Sequence, residues 1–173
     1  MGVAEPAERG WVRAGVNNTT HINQPWRALL LAGAVLVLGS LLPATLGATE
    51  RWETLEAIHW IENPLNTERP GRYGELGAYQ FRAATWRMHT TVPFAQATDR
   101  RISDEVAIRH YEWLRAGLGR AGIEPTPYTI ALAWNGGLST VVRGRVRPAT
   151  RDYAERVQNI AGHLRHSQVA SNP

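Results

Sequence analysis

The chain has 173 residues, 43% apolar and 20% charged, with a net charge of +4 and no cysteine. That suits one domain with its own core and excludes a disordered chain, a disulfide scaffold and a cysteine nucleophile. All 19 basic residues are arginine, which also removes Schiff-base chemistry and a P-loop, both of which need lysine.

Residues 28–48 carry no charge, and Leu29 to Leu38 has the make-up of a signal-peptide h-region. Arg27 precedes it; Pro43 and the small residues Ala44, Thr45, Gly47 and Ala48 close it. The stretch is also just long enough to span a bilayer, so an uncleaved N-terminal anchor is the alternative. Either reading makes residues 1–48 a leader and puts the working domain, residues 49–165, outside the cytoplasm.

Thr49 can cap a helix with Glu50 and Glu53 in its first turn and Trp52, Leu55, Ile58 and Ile61 along it. Asn63-Pro64 should stop it, because the residue before proline avoids the α region. Residues 66–80 are rich in glycine and read as a small β-hairpin or irregular insert. A short helix is expected over Arg82 to His89. A longer one follows, capped by Ser103, with Ala107, Tyr111, Leu114 and Leu118 on its inner face. Thr126-Pro127 opens a further helix that Gly136-Gly137 ends. Thr150 caps the last, with Tyr153, Val157, Ile160 and Leu164 as its stripe; residues 166–173 read as a flexible tail. The class is mainly α. Trp52, Trp86 and Trp113 fall at helical positions suited to the core.

Glu62 is the residue that invites chemistry. It ends an apolar helix, where the dipole disfavours an acid, and a glycine-rich loop follows at once. Apolar walls and a helix C-terminus both raise a carboxyl pKa, and an acid held protonated can donate to a leaving oxygen. Position alone favours a surface glutamate at a frayed helix end.

Four segments in order add to this: Glu62, then Gly77-Ala78-Tyr79-Gln80, then Ala133-Trp134-Asn135, then Tyr153. Together they resemble the catalytic domain of soluble lytic transglycosylases, within the lysozyme-like superfamily, over most of residues 50–160. The resemblance implies an α+β lysozyme-like fold and a peptidoglycan-cleaving glycosidase. Glu62 would be its catalytic acid and base, acting on the β-1,4 bond between N-acetylmuramic acid and N-acetylglucosamine and leaving 1,6-anhydro ends. It implies substrate contacts from Tyr79, Gln80, Trp134, Asn135 and Tyr153. Tyr153 could bond the acid or the sugar while also serving as core. Asn63 stands where the family has Ser, and Tyr79 where it has Met. A hydrolase of the superfamily would usually add a second carboxylate to position water, with Glu75 the candidate and a solvated loop acid its bland reading. A lysozyme-type hydrolase of peptidoglycan or chitin, and an inactive glycan-binding module on the same fold, are the alternatives.

No cofactor is expected. His59 and Glu62 have metal-pair spacing, but no second such pair appears, so no metal site is expected. Neither Ser103 nor Ser139 has a nucleophile-elbow setting. The cluster Arg143, Arg145 and Arg147 lacks interleaved aromatics. It suits an anionic partner such as peptide stems or a membrane surface, or is a solvated loop; nucleic acid is not expected. The expected partner is a peptidoglycan strand, with membrane association possible through residues 28–48, and the chain is expected to be a monomer and exported.

Overall fold

The structure is a computed structural model and describes residues 50–171. The apolar segment 28–48, the leader and the Thr49 cap lie outside the described residues. Among the described residues, no helix is long and apolar enough to cross a membrane.

These residues are mainly helical. Helix α1 covers residues 50–62. It is followed by α2 (Ala83–Arg87), a 3-10 turn (Phe94–Thr98), α3 (Arg100–Arg120), α4 (Pro127–Gly136), α5 (Leu138–Val142) and α6 (Pro148–Ser171). The glycine-rich insert is irregular: within it lies one isolated antiparallel bridge, Leu76 to Phe81, among turns.

Helices α4 and α6 pack extensively against each other. The stripe read from the sequence is buried on α3, where Ala107, Tyr111, Leu114 and Leu118 are all buried; on α6 Tyr153 and Val157 are buried but Ile160 and Leu164 only half-buried. Ion pairs and hydrogen bonds set how α1 lies. Glu53, near its start, accepts from Arg165 Nε at 2.9 Å, and Glu62, at its end, accepts from Tyr153 Oη at 2.8 Å. Positions rising along α1 thus meet positions falling along α6, so the two run antiparallel. The same logic holds for α3, because Arg51 meets Glu112 and Glu56 meets Arg100.

Several helix ends differ from the sequence reading. Helix α3 is capped by Asp99, whose Oδ1 accepts from Ile102 N–H at 3.0 Å; Ser103 lies one turn inside, on the buried face. Helix α6 begins at Pro148, and Thr150 sits within it, with its hydroxyl bonded to Asn135 instead of capping. That helix continues through Ser171, past His166 where fraying was expected. Helix α4 starts as read, with Thr126 and Thr129 forming a reciprocal capping box around Pro127. It stops where Gly137 takes φ +85°, and the short α5 follows directly.

The tryptophans divide unlike the sequence reading. Trp86 is fully buried, with its indole N–H donating to Val92 O at 2.7 Å. Trp52 and Trp113 are not core: they are 47% and 39% exposed. Helical spacing put Trp52 on the stripe of Leu55 and Ile58, but the covered arc of α1 is shifted to take in Glu53, Thr54 and Ala57 and ends short of Trp52.

Candidate functional site

A cleft of about 630 Å³ opens beside the C-terminal end of α1. Its walls are the end of α1, the insert from Gly71 to Arg82, the α4–α5 junction and a buried part of α3. Glu62, Glu75, Tyr79, Gln80, Trp134 and Asn135 all line it, so residues more than 70 positions apart in the chain converge there. Tyr153 joins them through its hydrogen bond to Glu62.

Glu62 is half-buried. Its Oε1 accepts the Tyr153 hydroxyl at 2.8 Å, and among the described residues no arginine forms an ion pair with it. Its pKa is raised above the ordinary carboxyl value. Burial is the main cause and the negative charge of Glu75 adds to it; the Tyr153 bond and the more distant Arg156 oppose. Tyr153 is itself buried. Its phenol is held well above its usual range by burial and then by the charge of Glu62, so at neutral pH it serves as a donor.

Glu75 is differently placed. One carboxylate oxygen accepts the Tyr73 N–H at 2.8 Å and the other accepts Arg82 Nε at 3.2 Å. Its slight burial would raise its pKa, but these bonds and the Arg82 charge hold it below the ordinary value. It is a loop-organising carboxylate at the rim.

Asn63, at the position after the acid, is buried and knits the insert together. Its amide donates to Thr67 O at 2.9 Å and Gly77 O at 3.2 Å, and its carbonyl accepts the Thr67 N–H at 3.0 Å. A serine is too short to reach all three. Gly77 then turns the chain back with φ +78°, and a Cβ there would lie 1.8 Å from Ala97 O. Gln80 follows at φ +45°, its side-chain amide donating to Gly77 O at 3.0 Å. A non-glycine residue in that region is uncommon and costs free energy, and such positions gather at functional sites.

Tyr79 and Trp134 are more deeply built in than a sugar platform requires. Tyr79 is buried, its hydroxyl donating to Asp104 at 2.7 Å, and burial holds its pKa well above normal. Trp134 is half-buried, with ring centroids 6.0 Å from Tyr79, 5.5 Å from Phe81 and 4.7 Å from His110. Asn135 is exposed at the cleft; its Oδ1 accepts from Thr150 at 2.9 Å, which orients the amide group.

Comparison of the chain with protein-family models, with curated proteins and with solved structures gives no match.

Some cleft residues escaped the sequence reading. His110 lines the floor, paired with His89 at 2.9 Å. Burial, and then the neighbouring His89, lowers its pKa to about 3, so it is neutral. Only its place on the inner face of α3, one turn from Ala107 and Leu114, could have found it. Tyr73 is exposed at the rim, with Arg72 and Arg82 guanidinium carbons 5.7 and 5.2 Å from its ring centre. Arg147 of the basic cluster also lines the cleft. His59 does not reach the cleft: it is buried beside Glu56 and Arg100. Among the described residues, no group of three or more His, Asp or Glu could hold a metal ion.

Proposed function

We propose that this domain is an exported, lysozyme-like glycosidase that cleaves peptidoglycan by the lytic transglycosylase route. The observation that carries this reading is the state of Glu62. It is a half-buried carboxyl opening into the cleft, bonded by a neutral phenol and, among the described residues, without an ion pair, with its pKa raised. Such an acid keeps its proton to a higher pH than a free carboxyl and can deliver it to a leaving oxygen.

In this reading Glu62 protonates the glycosidic oxygen between N-acetylmuramic acid and N-acetylglucosamine as the bond from the anomeric carbon breaks. The departing sugar keeps that proton as its 4-hydroxyl. The carboxylate then takes the proton of the muramic 6-hydroxyl, whose oxygen closes onto the anomeric carbon to give the 1,6-anhydro ring. Tyr153 steadies the carboxylate between the two steps. Both oxygens of Glu75 are held by the loop, and among the described residues no other carboxylate joins Glu62 in lining the cleft, which favours the internal hydroxyl over hydrolysis. Gln80 and Asn135 supply amides to the N-acetyl and hydroxyl groups, and segment 28–48 serves as export signal or anchor.

The test is digestion of purified sacculi with mass spectrometry of the products. Wild type should yield anhydro ends, and Glu62→Gln should yield none while keeping the fold. Reducing ends would make the protein a lysozyme-type hydrolase. No turnover by wild type would leave a glycan-binding module.

A further inference from the structure

A second cavity, of about 240 Å³, lies on another side of α1, between that helix and α3. It does not include Glu62. Its apolar wall is Trp52, 47% exposed, with Leu55 and Ile108, the latter 39% exposed. Its polar wall is a braced set of charges. Arg100 donates to Asp104 at 2.8 Å and to Glu56 at 3.1 Å, and Arg51 donates to Glu112 at 2.8 Å. Tyr79 lines both this cavity and the cleft, and its hydroxyl fixes Asp104.

Three properties narrow the ligand. The charges lining the cavity, Arg51 and Arg100 against Glu56 and Asp104, balance, so the cavity favours no net ion. The planar carboxylates and guanidinium groups are rigidly held and still partly exposed, with Asp104 at 39% and Arg100 at 37% of their side-chain surface. They can offer paired donors and acceptors to hydroxyls. The indole presents a flat apolar face beside them, the combination that suits a ring with one apolar face and a rim of hydroxyls. A second exposed indole, Trp60, lies two turns further along the same face of α1, with its N–H donating to Glu56 at 2.8 Å.

We infer that this cavity is a second glycan-binding site that seats one uncharged hexopyranose on Trp52, apart from the cleft. For the chemical class of the polymer it rests on the reading of the cleft as a glycan site. A strand held here would anchor the domain to its substrate while the cleft works elsewhere along the wall.

The experiment follows the indole N–H signals of the full chain by NMR during titration with tri-N-acetylchitotriose. The Trp52 signal should shift saturably. In Trp52→Ala and in Ile108→Glu, both at exposed positions, retention on insoluble sacculi should fall by about tenfold. An unmoved Trp52 signal overturns the inference, as does retention unchanged in both variants. Turnover of sacculi by wild type is scored separately. Loss of turnover with a moving Trp52 signal would defeat the reading of the cleft and leave this site standing. Turnover with a still Trp52 signal would do the reverse.

Discussion

Removing the Tyr153 hydroxyl, with Tyr153→Phe, probes the coupling on which the candidate acid depends. The phenol donates to Glu62 at 2.8 Å, and this bond favours the charged carboxylate. Losing a hydrogen bond to a charged group costs about 1.5–3 kcal/mol, and Glu62 is half-exposed, so the lower end applies. One pKa unit corresponds to about 1.4 kcal/mol, so the Glu62 midpoint should rise by about one unit. Burial and the Glu75 charge, which already push it up, remain in place. Carbon-13 NMR titration of the glutamate carboxyls reads this without any need for turnover. If sacculi are cleaved, the alkaline limb of the pH–rate profile should move upward by the same amount, because the reaction needs Glu62 protonated. A Glu62 midpoint that stays put or falls in Tyr153→Phe would refute the reasoning.

Two further outcomes follow from the same geometry. A carboxyl whose folded pKa is raised favours the fold below the ordinary carboxyl value of 4.5, and that contribution is lost as pH climbs through the raised value. Glu62→Gln should therefore be more stable than wild type at pH 7, with the gap closing below about pH 4; urea melts at both pH values measure it. Gly77→Ala should destabilise by about 3 kcal/mol, combining the left-handed backbone cost with a methyl driven against Ala97 O at 1.8 Å. A urea midpoint within experimental scatter of wild type would show that the turn at residues 77–80 shifts freely.

Much of the helical layout was legible because its signals are local. Thr126-Pro127 and Asn63-Pro64 act within one turn of themselves, and the stripes of α3 and α6 need only helical periodicity. Where two local signals competed, the sequence could not arbitrate. Asp99 and Ser103 can each cap a helix, and the buried face of α3 claimed Ser103. Trp52 has the spacing of a core residue, and only the tertiary packing, which covers α1 on the side of Glu53, Thr54 and Ala57, leaves it exposed.

The sequence by itself determined that Glu62 ends an apolar helix beside a loop, because a proline and a run of glycines dictate that locally. Its state was decided by tertiary structure: Tyr153 is 91 residues away in the chain, and burial depends on every wall of the cleft. The same holds for Glu75. A loop acid can be free or engaged, and it is engaged because the insert folds so that Arg82 and the Tyr73 N–H meet its two oxygens. Residue type and spacing fix which groups are available; a pKa and a hydrogen-bond partner depend on distances that only the folded chain sets.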